Sequence, residues 1–197
     1  MAPATTTAAP RIPPGRRADI GLLNTLIIRV IGRATGGQAP HLFPTLARNR
    51  RLFRRWLWFA LALMPGGGLP RAETELVILR VAHNCRSGYE LGQHEPIALA
   101  AGLTEHEIAA IRTGPQAPGW SARQVLLLTT ADELHHGHTI SPGLWEQLAA
   151  TCSQPELIEL CLLVGHYEML AVTLNSLAVQ PAAIAARLPS RRGSRRG

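Results

Sequence analysis

A hydroxyl, a carboxylate and an imidazole recur at helical spacing in one stretch of this 197-residue chain, as Ser87, Glu90 and His94. At about 100° per residue, the step from Ser87 to His94 falls about 20° short of two full turns. The two therefore share a helix face, with Glu90 roughly 60° round. Glu75 stands twelve residues before Ser87, on a preceding helical pattern. An antiparallel hairpin would bring it opposite His94, where a carboxylate orients an imidazole or holds its proton. Such a pair does general acid–base work. The helix start near Ser87 adds a positive potential that favours an anionic ligand or a thiolate.

Each of these residues also has a plain structural use. Ser87 and Glu90 make an S-x-x-E capping box. Glu75 is an acid near the start of its helix, and a histidine on a helix is often only part of the surface or core. Spacing alone leaves both readings open. Cys85 lies beside Arg86 and a helix start, both of which lower a thiol pKa. Two residues turn a helix by about 200°, however, so Cys85 would face away from His94. It also reads as a small apolar residue in a helix connection. Cys152 and Cys161 sit in apolar helical surroundings and read as core.

His135, His136 and His138 end a helix, and the His135/His138 pair offers two metal ligands. A site needs three or four, Gly137 interrupts the helix, and cationic groups suit a helix C-terminus. No metal and no cofactor are expected. His166, Tyr167 and Glu168 lie in an apolar helix, where polar groups must be satisfied. They read as structural, at a subunit contact or at the border of a pocket. Trp56, Trp58, Trp120 and Trp145 read as core or interface.

The elements that position these residues are helices throughout. Residues 20–32 place Leu22, Leu23, Leu26, Ile27, Val30 and Ile31 at helical spacing, as a helix docking on the domain or a partner, or lying on a membrane surface. Residues 34–40 are a Gly-rich linker, and 43–64 one or two helices stopped by Pro65 and three glycines. Further helices are expected over 72–84, 88–101, 105–113, 121–136, 142–151 and from Ser153 to about Val179. Ser87/Glu90, Thr104/Glu107, Ser121/Gln124 and Ser153/Glu156 mark four of their starts. No βαβ alternation or strand hairpin appears, so the fold class is all-α, with seven or eight helices.

Composition narrows the function classes. Hydrophobic residues make up 46% and charged residues 17% of the chain, enough to bury a core and too little charge for disorder throughout. The net charge of +7 is unevenly placed: +9 over residues 1–56, −7 over 57–184 and +5 over 185–197, with arginine as the sole basic residue type apart from histidine. The basicity lies on either side of residues 57–184, the ends 1–19 and 182–197 read as disordered, and no nucleic-acid motif accompanies it. Three cysteines without a CxxC pair suit a reducing compartment. The N-terminus lacks the pattern of a secretory signal. The longest uninterrupted apolar run is about ten residues, where a membrane span needs roughly twenty. The expected location is cytoplasmic, with no nucleic-acid partner and no membrane span.

The run RAETELVILRVAHNCRSGYELGQHEPIALAAGLTEHEI (71–108) resembles the carboxymuconolactone decarboxylase-like family, which includes the alkyl hydroperoxidase D proteins. The later ADELH (131–135) and LCLLVGHYEMLAVTLNSLAVQ (160–180) are similar to a subgroup of it, extending the resemblance over most of 41–181. The resemblance implies an all-α bundle that assembles as a homo-oligomer, a trimer or hexamer or else a dimer. In the hydroperoxidase branch a Glu precedes a C-x-x-C, and a His follows the second Cys by four residues. On this chain the Glu is Glu75, the His is His94, and the two cysteine positions hold Ser87 and Glu90. The proton-relay partners remain and the redox pair is absent.

Three functions are therefore expected to compete. The first is acid–base chemistry (decarboxylation, isomerisation or lactone chemistry) on a small organic acid or ketone. There His94 is the acid/base, Glu75 its orienter and Glu90 a second proton carrier, while Ser87, Tyr89 and Arg86 or Arg80 hold the substrate. The second is a peroxiredoxin-like peroxidase using Cys85. The third is a non-catalytic oligomeric domain.

Overall fold

The computed structural model describes residues 9–34 and 39–181. The expectations for the first eight residues, the middle of the Gly-rich linker and the Arg-rich tail fall outside them. The described residues form helices and no strand: α1 (Arg17–Ala34), α2 (Leu42–Leu46), α3 (Arg50–Leu63), α4 (Arg71–Asn84), α5 (Gly88–Ala100), α6 (Glu105–Ile111), α7 (Ala122–Gly137), α8 (Pro142–Ala149) and α9 (Gln154–Leu177).

The central rod is α4. Pro70 precedes it, no glycine or proline interrupts it, and every residue from Thr74 to Ala82 is buried. A helix that loses all its faces from water must be wrapped on all sides. Here α5, α6, α7 and α9 do the wrapping. Leu76, Val77, Ile78, Leu79 and Val81 of α4 join Leu127 and Leu128 of α7 and Leu160, Leu163 and Val164 of α9 in one core. By length and composition α9 could cross a membrane. Half of its most apolar window is nevertheless buried inside the fold, as befits a core helix.

A smaller cluster of Ile20, Ala47 and Phe53 fastens α1 to α2 and α3. Gly21 (φ 78°) kinks α1 in the left-handed region, where a Cβ would be strained. Docking is partial, for Leu22, Leu23, Leu26 and Val30 stay exposed. Residues 9–16, read from sequence as part of a disordered arm, instead run along the domain. Arg11 donates its N–H to the Leu177 carbonyl (3.0 Å), Gly15 its N–H to that of Pro44 (3.0 Å), and Arg48 Nε bonds the Pro13 carbonyl (2.8 Å). Pro10, Pro13 and Pro14 restrict this segment to extended backbone.

Candidate active site

Four helix starts carry the S/T-x-x-E/Q signature, and one behaves differently. Thr104, Ser121 and Ser153 each cap their helix, and each receives the reciprocal bond, its own N–H donating to Glu107 (2.8 Å), Gln124 (2.9 Å) or Glu156 (2.7 Å). At α5 only half the box forms. The Ser87 hydroxyl accepts the Glu90 N–H at 3.4 Å, but the Glu90 carboxylate returns nothing. The reason lies in the short connection from α4. Arg86 takes a left-handed conformation (φ 52°), its N–H donates to the His83 carbonyl (3.0 Å), and the Ser87 N–H donates to the Ala82 carbonyl (2.8 Å). This paired closure of a helix C-terminus occupies the donor that Glu90 would otherwise reach. Glu90 is left 3% exposed, with no hydrogen-bond donor to either carboxyl oxygen among the described residues. Burial pushes its pKa from 4.5 up to about 8, the Ser87 hydroxyl pulling weakly the other way.

One turn further along α5 stands His94, 7% exposed. Its Nδ1 lies 2.7 Å from Oε2 of Glu75, which is 0% exposed. Arg71 Nη2 lies 2.7 Å from the other oxygen, Glu75 Oε1, so this carboxylate sits between a guanidinium and an imidazole. A carboxylate only accepts, which assigns the Nδ1 proton to this bond and leaves the Nε2 lone pair free. Among the described residues, Nε2 has no hydrogen-bond partner.

Tyr167 of α9 joins the three groups. Its ring meets His94 edge-on at 5.2 Å. Burial, then the charges of Glu75 and Glu90, raise its hydroxyl pKa, with Arg71 opposing. The phenol stays protonated and donates to Met64 Sδ at 3.4 Å. Beside it, His166 stacks on Trp56 (6.0 Å), its buried Nδ1 without a partner among the described residues; burial lowers its pKa to about 4, so the ring is neutral.

The remaining sequence candidates divide. Ser87 is fully buried as the helix cap. Tyr89 is buried, and its hydroxyl accepts the Leu42 N–H at 3.0 Å, keeping its own proton to donate. Arg86 is exposed. Arg80 is not available as an anion binder. It holds Asp132 in a two-bond fork (2.6 and 2.8 Å) and donates to the Ile111 and Arg112 carbonyls. Cys85 faces His135, with Sγ 3.8 Å from Nδ1. Its thiol is not activated by the helix start or by Arg86. Burial first, then the charges of Glu168 and Glu90, raise its pKa to about 11. A surface hollow lined by Arg51, Arg54, Arg55 and Trp58 on α3 contains none of these residues.

Sequence reasoning missed Arg71 as the second partner of Glu75 and placed Tyr167 only at a possible pocket border. The four-residue step from Arg71 to Glu75 was a usable signal for the first.

The carboxymuconolactone decarboxylase family model matches residues 50–133, which span Glu75, Cys85, Glu90 and His94. Over residues 50–133 the chain is similar to that family. The family segment thus ends before Tyr167, which α9 supplies. A comparison with curated proteins finds no match. Among solved structures, an uncharacterized peroxidase-related protein from Ralstonia eutropha JMP134, described as an alkylhydroperoxidase AhpD core, superposes with a TM-score of 0.80 at 18% identity, over 90% of this chain and 95% of that one. A peroxidase-related protein from Silicibacter sp. TM1040 gives 0.78 at 16% identity, over 90% and 96%. A cysteine-to-alanine variant of the debrominase Bmp8, in complex with 2,3,4-tribromopyrrole, gives 0.71 at 14% identity, over 92% and 95%. At these identities the likeness establishes the AhpD-like helical fold.

Proposed function

We propose that this protein is an acid–base enzyme acting on a small organic acid, lactone or enolisable ketone, with His94 as the proton-transferring group. The reading rests on one observation: a fully buried carboxylate 2.7 Å from His94 Nδ1, with Nε2 left without a partner among the described residues. Nε2 takes a proton from the carbon beside a carbonyl, and the electron pair moves onto the carbonyl oxygen. Glu75 fixes the ring orientation and balances the imidazolium charge. Glu90, protonated up to about pH 8, donates to the oxygen where charge develops. Return of the proton to a different carbon completes an isomerisation. Where a carboxylate adjoins the enolisable carbon, the carbon–carbon bond breaks instead and carbon dioxide leaves; the Glu90 proton goes to the enolate oxygen, His94 Nε2 relays that proton from oxygen to carbon, and Glu90 is reprotonated from solvent. Ser87, Tyr89 and Arg86 remain the groups assigned to substrate contact. Cytoplasmic location and assembly into a homo-oligomer are part of the same reading, the latter checked by sedimentation.

A second reading, a thiol peroxidase using Cys85, draws on the 3.8 Å contact with His135 and on the peroxidase-related names of two structural neighbours. A thiol held protonated to about pH 11 weighs against it.

The test is deuterium exchange. A panel of 2-oxo acids, β-keto acids and lactones is incubated with the protein in deuterated buffer and followed by proton NMR. Exchange beside a carbonyl should be catalysed by the wild type and by Cys85→Ala, and should fall 10²–10⁴-fold in His94→Ala. Exchange that survives His94→Ala, or that Cys85→Ala abolishes, overturns the reading. No exchange with any member favours the non-catalytic domain.

A further inference from the structure

A second cluster of donor atoms lies outside the acid–base site. Cys85 sits at the C-terminal cap of α4, His135 in the last turn of α7, and Glu168 in the middle of α9. Their Sγ, ring nitrogen and carboxylate oxygen all lie within 4.8 Å of one another, and all three residues are half-buried. We propose that these residues bind one divalent ion of the borderline class, zinc foremost.

The donor set carries the argument. Sulfur, imidazole nitrogen and a carboxylate oxygen together suit zinc, whereas magnesium and calcium take oxygen donors. The thiolate and carboxylate together neutralise a doubly charged ion. The spacing is also close to what the ion needs. Zinc–ligand bonds of about 2.0 to 2.3 Å in a tetrahedron set neighbouring donors roughly 3.3 to 3.6 Å apart. Here Cys85 Sγ and His135 Nδ1 are 3.8 Å apart, and His135 Nδ1 and Glu168 Oε1 are 2.7 Å apart. The Cys85 sulfur and the Glu168 carboxylate lie within 4.8 Å of each other, so side-chain adjustments of the order of an ångström complete the geometry. Partial exposure leaves the fourth position to water or a small ligand.

The backbone around the sulfur is already held. The Cys85 N–H donates to the Val81 carbonyl (2.8 Å), and the Cys85 carbonyl accepts Asn175 Nδ2 (3.0 Å). Of the three clustered histidines only His135 takes part. His136 Nδ1 bonds the Asp132 carbonyl at 2.8 Å, and His138 is the left-handed cap of α7. The His135/His138 ligand pairing suggested by their spacing is therefore replaced by ligands from three separate elements. His135 and Glu168 lie beyond residues 50–133, the span of the family match, whereas Cys85 lies within it. The site shares no residue with the Glu75–His94 pair, and its failure would leave that reading intact.

The test is a titration of the full-length, chelator-stripped protein with cobalt, followed by absorption and then by competition with zinc. One equivalent should bind, with a sulfur-to-cobalt charge-transfer band and tetrahedral visible bands that zinc displaces. Cys85→Ser should remove the charge-transfer band, and Glu168→Gln should weaken binding by about tenfold or more. His136→Ala and His138→Ala should leave it unchanged. In the wild type, which needs no variant to fold, zinc should protect Cys85 from alkylation, read by peptide mass with Cys152 and Cys161 as references. No saturable binding, binding without the sulfur band, or alkylation of Cys85 unaffected by zinc overturns the proposal.

Discussion

Glu90→Gln separates a buried acid from an ordinary cap, because the two respond oppositely to pH. A folded-state pKa raised from 4.5 to about 8 means that the native protein holds a proton the unfolded chain has released. Glu90 therefore costs nothing below about pH 4.5, and stability falls as pH rises from there until the folded pKa is passed. The slope is about 1 kcal/mol for each pH unit, so of the order of 3 kcal/mol is lost between pH 5 and pH 8. The amide cannot ionise, so Glu90→Gln removes this fall whatever else it changes. Urea unfolding of both proteins at pH 5, 6, 7 and 8 gives the comparison, each curve corrected by the other for the remaining groups. The difference between them should tilt towards the variant as pH rises and level off above pH 8. Parallel curves would show that Glu90 is not a buried, unpaired acid, and would remove the proton donor from the mechanism.

Arg80→Ala should destabilise the protein by about 3 kcal/mol, because Asp132 and two carbonyls lose their donor inside the fold; the urea midpoint reports it. Arg86→Gly should stabilise it by up to about 1 kcal/mol, relieving a left-handed non-glycine residue, which a thermal melt measures. Leu163→Ala, at a fully buried core position, should cost about 2 to 5 kcal/mol in the same unfolding assay.

The helices were legible because their punctuation is local. Three complete capping boxes stand where Thr104, Ser121 and Ser153 announce them, and α4 begins and ends within a residue of its expected bounds. The Glu75–His94 contact was legible as a possibility, since a helical hairpin sets two rows of side chains opposite each other. What failed at Ser87 was also local but lay on the wrong side of it. The box is read forward into α5, while the donor it needs is taken backward into α4 by the turn at Arg86. The Cys85–His135–Glu168 cluster was illegible for another reason. Its members come from the ends and middle of three helices, and no periodicity relates positions on separate rods. Arg80 was misassigned because a lone arginine near a candidate site gives no sign of a distant carboxylate, here Asp132.

The leading segment before α1 is a clasp on the other end of the fold. Arg11 spends both its main-chain N–H and its guanidinium on the final carbonyls of α9, those of Leu177 and Ser176. The helix that supplies Tyr167 and Glu168 is thereby fastened by residues more than 150 positions earlier in the chain. Trimming the front of the protein would thus be felt at its last helix, far along the sequence yet adjacent in space.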